Sequence, residues 1–189
     1  MRIVIAGGVG SGKSAVTKIL RDLGAKVVVA DEVNSELLKE PEYVCLIENT
    51  FPTVVHNKVI NKKELAALVY RDEEKRRTLM DLAHPRIFDR MLAAYPHESL
   101  VFYEIPLLSK SNIRFDQIWF VCADPAVRVA RIMNRDGVSK ERAERVLLLQ
   151  REEESFLTRA DVVIKNDGNL DALCENVKTL YYSILNQNS

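Results

Sequence analysis

The sequence predicts an α/β fold, a parallel sheet with helices on both faces and an anion-binding loop after its first strand. Three observations carry that expectation. Continuously apolar runs recur at residues 3–6, 27–30, 100–103, 118–123 and 162–164, as in strands covered on both faces. Helical patterns separate them, beginning with Val16, Ile19, Leu20 and Leu23 on one stripe. The first run passes straight into Gly7-Gly8-Val9-Gly10-Ser11-Gly12-Lys13-Ser14, a complete G-x-x-x-x-G-K-[ST] between a buried strand and an amphipathic helix.

Taken in order, Gly24 stops the first helix, and the second run ends at Asp31-Glu32. Residues 33–98 are mostly helical in pattern and contain no central strand, so they are expected to form an insertion within a single domain spanning 1–189. The third run leads to Glu104 and Pro106. After the fourth, Asp124-Pro125 supplies an N-cap and an N1 proline for a helix to about Asn134. Asp136-Gly137 breaks it, and Ser139 is expected to cap another helix running to about Phe156. The last run closes in Ile164-Lys165-Asn166-Asp167-Gly168, before a helix striped by Leu170, Leu173, Val177, Leu180 and Ile184.

Composition narrows the functional classes. With 27 basic and 27 acidic residues the chain has no net charge, which argues against nonspecific nucleic-acid or membrane-surface binding. Cys45, Cys122 and Cys174 lack metal or disulfide spacing, and with His56, His84 and His97 they suggest no zinc site. Buried thiols in a reducing cytoplasm are expected. The apolar N-terminus is too short for a membrane span and runs into glycines.

The glycine loop predicts binding of a nucleoside triphosphate. Its N–H groups converge on an anion, aided by the positive end of the helix. Lys13 would reach the β- and γ-phosphates, and the Ser14 hydroxyl would sit on Mg²⁺. The motifs argue against a GTPase: no DxxG occurs, and neither Asn57-Lys58 nor Asn61-Lys62 is followed by the required aspartate. Two roles suit Asp31, a base or aligner for an attacking hydroxyl at the carboxyl edge of the sheet, and a cap of the following helix. Glu104 has the placement of a carboxylate that holds Mg²⁺, and a structural role fits equally. Arg128, Arg131 and Arg135 share a helical face. They suit a lid over phosphates, or a solvated basic face paired with Glu141, Glu144 and Glu152. The turn at Asn166–Gly168 can meet an adenine, or be an ordinary turn before an Asn169 cap.

Along nearly its whole length the chain resembles the dephospho-coenzyme A kinase family. The resemblance rests on GGVGSGKSAV…LG…ADEV, His84-Pro85-Arg86-Ile87, Glu104-Ile105-Pro106-Leu107-Leu108, Arg131…Asn134-Arg135-Asp136-Gly137 with Arg145 and Gln150, and Ala160-Asp161…Ile164…Asn166-Asp167-Gly168. It implies a three-layer P-loop kinase fold with five parallel strands, a helical acceptor-side insertion (33–98) and a helical lid (125–157). The implied reaction carries the ATP γ-phosphate to the ribose 3′-hydroxyl of dephospho-coenzyme A, with Mg²⁺. By the same resemblance ATP is held by Gly8, Val9, Gly10, Ser11, Gly12, Lys13, Ser14, Ala15, Arg131, Arg135, Asn166 and Gly168. Lys13, Asp31 and Arg135 are the implied catalytic residues, and Ser14 and Glu104 the metal ligands. Asp31, His84, Pro85, Leu107 and Leu108 lie toward the acceptor. Four departures fall on the acceptor side: Val29 and Ser35 replace an aspartate and an arginine, Ser109-Lys110 an aromatic-Glu pair, and the short 56–62 stretch a glycine turn and an arginine. They keep two alternatives open, a related kinase for another nucleoside or small hydroxyl metabolite, and a nucleotide-binding regulator without chemistry.

Overall fold

The protein is described by a computed structural model covering residues 1–106, 108, 111, 113–149 and 151–187. Two compact units are present, Met1–Val28 with the chain from Tyr95 onward, and Val29–Ala94.

The first unit is built on the five-stranded parallel sheet. Its strands are β1 (Arg2–Ala6), β2 (Lys26–Val29), β5 (Val101–Glu104), β6 (Gln117–Cys122) and β7 (Val162–Lys165), in the order β2-β5-β1-β6-β7. β1 pairs in parallel with β5 on one side and β6 on the other. The chain therefore departs to both sides of β1, and the carboxyl end of that strand is the switch point where such sheets bind ligands. Flanking helices are α1 (Lys13–Asp22), α6 (Pro125–Asp136), α7 (Lys140–Leu149) and α8 (Leu170–Gln187). The core is apolar on both faces of the sheet, as the unbroken runs require. Ile3, Val4, Ile5, Phe102, Trp119 and Ile164 are sealed from solvent, and Phe102 meets Trp119 edge-on at 5.2 Å between ring centroids. Burial of each such side chain contributes about 1.5–3 kcal/mol.

The second unit contains α2 (Ala30–Leu37), α3 (Pro41–Thr50), α4 (Lys62–Arg71) and α5 (Glu73–Ala93). Its interior is made by Leu37, Tyr43, Ile47, Phe51, Ile60, Ile87, Phe88 and Met91. Polar residues hold the helix ends. Asn61 caps α4 by accepting from the Lys63 and Glu64 amides, and Asp72 caps α5 through the Lys75 amide.

Three boundaries differ from expectation. The second run splits, because Ala30 opens α2 rather than closing β2. The helix expected from Ser139 to about Phe156 ends at Leu149 and gives way to a 3-10 helix over Arg151–Arg159. Acidic residues 152–154 would have faced the negative end of a longer α-helix. The middle segment holds a small hairpin, β3 (Val55–His56) with β4 (Val59–Ile60). Asn57 and Lys58 both take positive φ there, 51° and 62°, as a two-residue primed turn demands.

Candidate active site

The site of the first unit grows from the chain reversal after β1. Gly7 has φ 142°, and a Cβ on it would fall 2.2 Å from the Val121 carbonyl oxygen. Gly12, in the left-handed region at φ 95°, caps α1 without a side chain, and no acidic residue occupies that helix's first turn. The helix N-terminus thus offers its amides and its partial positive charge to an anion. Lys13 donates from Nζ to the Gly7 and Gly8 carbonyls, at 2.6 and 3.2 Å. The Ser11 hydroxyl is buried with no hydrogen-bond partner among the described residues.

Loop amides that converge inward leave carbonyls directed outward, and those carbonyls need donors. Arg131 supplies them from α6, with Nη1 3.3 Å from both the Gly10 and Ser11 oxygens. Asn166, 6% exposed, donates its side-chain amide to the Ser11 oxygen at 2.8 Å. Its own carbonyl oxygens, main-chain and Oδ1, accept from Arg131 Nη2. Asn166 is thereby a brace of the loop, an assignment that its place in a tight turn did not suggest. Gly168 follows it in an exposed turn.

Opposite the loop, Glu104 ends β5, paired in register with Ile5. The residue is only 6% exposed. Thr17 donates its hydroxyl to Glu104 Oε2 at 2.9 Å, and the Ser14 hydroxyl lies 3.5 Å from Oε1. Thr17 was missed in the sequence, although it lies one helical turn beyond Ser14 on the same face. A hydroxyl and a carboxylate side by side are hard oxygen donors of the kind Mg²⁺ takes alongside substrate phosphates and water. These residues therefore fit the metal.

Arg128 is not part of a solvated face. It is buried, and its guanidinium donates to the Val9 oxygen at 2.9 Å and pairs with Glu154 at 2.8 Å. Arg135, one turn beyond Arg131, is exposed and grips Asp136 at 2.7 and 2.9 Å. That hydrogen bond raises the guanidinium pKa and lowers that of the carboxyl.

In the second unit, Asp31 lies exposed in the first turn of α2, whose N-cap is Val29. His84 and Pro85 sit within α5, where Pro85 has no N–H for the preceding turn. The His84 ring lies 5.4 Å from that of Phe88. Burial holds its pKa below the ordinary imidazole value, against the opposing charge of Asp81. In the first unit, Leu108 is buried. Leu107, Ser109, Lys110 and Gln150 lie outside the described residues.

This geometry coincides with a match to the dephospho-CoA kinase family over residues 1–172. The chain belongs to the dephospho-CoA kinase family. It is 34% identical to the dephospho-CoA kinase of Halalkalibacterium halodurans across 91% of this chain and 90% of that protein. With the Fusobacterium nucleatum dephospho-CoA kinase the identity is 33%, across 94% and 95%. In three dimensions it matches the Campylobacter jejuni dephospho-CoA kinase with a TM-score of 0.68 and 25% identity, covering 97% and 96% of the two chains. A deoxyadenosine kinase from M. mycoides shares the fold at 15% identity, with a TM-score of 0.58 over 96% of this chain and all of that one. The expected P-loop kinase fold and membership of an ATP-dependent kinase family are thus established.

Proposed function

We propose that this dephospho-CoA kinase family member transfers the ATP γ-phosphate to the ribose 3′-hydroxyl of dephospho-CoA, and that the loop at residues 7–15 holds the triphosphate. The observation that carries the reading is the loop itself. Its glycine-rich backbone runs into the uncapped N-terminus of α1, and the Lys13 ammonium lies against the Gly7 and Gly8 carbonyls. Arg131 and Asn166 hold the Gly10 and Ser11 carbonyls, an arrangement that supports an anion site there.

In the reaction the acceptor 3′-oxygen bonds to the γ-phosphorus as the bond from phosphorus to the β,γ-bridging oxygen breaks and ADP departs. Asp31 takes the hydroxyl proton. Lys13 stabilises charge on the γ-phosphate oxygens, and Arg135 would exchange Asp136 for phosphate. Ser14 and Glu104 would hold Mg²⁺, which when bound neutralises charge on the phosphates. His84, Pro85, Leu107 and Leu108 are assigned to the acceptor, and Gly168 to the adenine. In domain terms, residues 33–98 serve the acceptor and 125–157 form a lid. The three cysteines are free but not buried as expected, Cys45 being exposed and Cys122 and Cys174 partly so; unpaired thiols still suit a reducing cytoplasm. No helix among the described residues is long and apolar enough to cross a membrane.

The deciding experiment incubates purified protein with Mg²⁺-ATP and dephospho-CoA and quantifies CoA and ADP. Stoichiometric formation of both is expected. ADP without CoA, or neither product, would reject the acceptor, and a panel of nucleosides and small alcohols would then separate another kinase from a regulator.

A further inference from the structure

Arg128 is placed to act on the phosphate loop from behind. It is 6% exposed on α6. Its Nε donates to the Val9 carbonyl at 2.9 Å, and its Nη1 pairs at 2.8 Å with Glu154, whose side chain is 47% exposed on the 3-10 segment. The third nitrogen, Nη2, is buried with no partner among the described residues, and a Cβ at Gly8 would fall 2.2 Å from it. A Cβ at Gly10 would meet the main-chain oxygen of Arg128 at 2.9 Å. A side chain at either glycine would therefore displace Arg128 or the loop backbone.

A peptide plane directs its C=O and its N–H to opposite sides, so a donor that fixes the Val9 carbonyl outward also fixes the Gly10 amide inward. A charge-assisted bond holds that plane more firmly than a neutral one. A buried donor without a partner calls for an explanation, and the contacts of Arg128 with the loop supply one. We propose that Arg128 is a positioning residue of the phosphate loop, with Glu154 setting the guanidinium and the guanidinium setting the Val9–Gly10 peptide. Lysine cannot replace it, since a single ammonium lacks the fork that reaches both oxygens. The inference rests on the reading of this loop as the ATP site.

The test measures ATP affinity by calorimetry, melting temperature, and the KM for each substrate in wild type, R128Q, R128K and E154A. R128Q is expected to weaken ATP binding roughly tenfold, with the KM for dephospho-CoA within twofold of wild type. R128K should recover stability without recovering ATP affinity. E154A should weaken ATP binding by about threefold. An R128Q protein that melts lower yet binds ATP within twofold of wild type would overturn the proposal and leave Arg128 a packing residue. Should R128Q fail to fold, E154A decides, because its side chain is half exposed, and unchanged ATP affinity there has the same meaning. Wild type that binds ATP without phosphorylating dephospho-CoA would overturn the kinase reading alone, with the Arg128 question still decided by the affinities. Wild type that does not bind ATP would overturn both.

Discussion

The two units spend their polar side chains differently. In the first, Lys13, Arg131 and Asn166 all donate to carbonyls of the glycine loop, and Thr17 donates to Glu104. Groups from α1, α6 and the end of β7 thus determine the position of one short backbone segment. In the second, Asn61 and Asp72 hold helix starts near the surface, and the buried residues are apolar. The proposed phosphate site is made of main-chain amides, which one side chain cannot position, so it recruits many. A helical unit needs polar residues chiefly where its helices begin. Substitutions in the first unit should therefore damage chemistry, and most in the second should damage stability.

Among the second-unit residues assigned to the reaction, Asp31 would break this contrast most sharply, and it carries the largest expected effect. Asp31→Asn is expected to lower kcat by about 10²- to 10⁴-fold, as for a lost general base, with the KM for ATP little changed. Steady-state kinetics with ADP release as readout would check it, and near-normal turnover would remove Asp31 from the mechanism. Next is Lys13→Ala, with a loss of roughly 10²- to 10³-fold in kcat, of the size seen when one preorganised charge donor is removed. Retention of more than a tenth of the activity would show that the loop amides suffice alone.

Glu104→Gln sharpens the first half of the comparison. It keeps the shape beside Ser14 and Thr17 and removes the charge. The Mg²⁺ concentration needed for half-maximal activity should rise about tenfold or more. An unchanged Mg²⁺ dependence would leave Glu104 a purely structural anchor of Thr17.

Much of the first unit was legible because its signals are local. The five apolar runs became the five strands, and Asp124, Pro125 and Gly137 bound α6 as their chemistry requires. The loop's braces were not legible. Nothing in Asn166's neighbourhood says that its amide reaches Ser11, 155 residues away in the chain. Arg128, Arg131 and Arg135 read as equivalent on one face, yet only the fold sends the first into the interior, the second to the loop and the third to Asp136. In the second unit the hairpin escaped notice because its turn is Asn57-Lys58. A lysine at positive φ lacks the glycine that announces a primed turn. The departures at Val29 and Ser35 were visible, and the structure places them at the start and within α2.

Asn61→Ala tests the second half of the comparison. Loss of a cap that accepts two amides costs about 1 kcal/mol. For a chain of this size that lowers the melting temperature by roughly 2–4 °C. The KM for ATP should not move, and a shift in it would mean that the units are not specialised as described.

The smallest expected effect is a pH dependence of stability centred on His84. Burial lowers its pKa in the folded protein, and Asp81 opposes that only in part. The unfolded imidazole titrates near 6.5. As pH falls below about that value the unfolded chain therefore binds more protons than the folded one, so stability rises with pH across this window. The contribution is complete above the unfolded pKa and is lost toward the lower, folded one. His84→Gln has no such proton to take up. The drop in melting temperature between about pH 7.5 and 5.5 should be smaller in the variant than in wild type, with carboxylate titrations common to both cancelling in the difference. Equal drops would mean that the ring is protonated as readily in the helix as in water, and that its contact with Phe88 does not desolvate it.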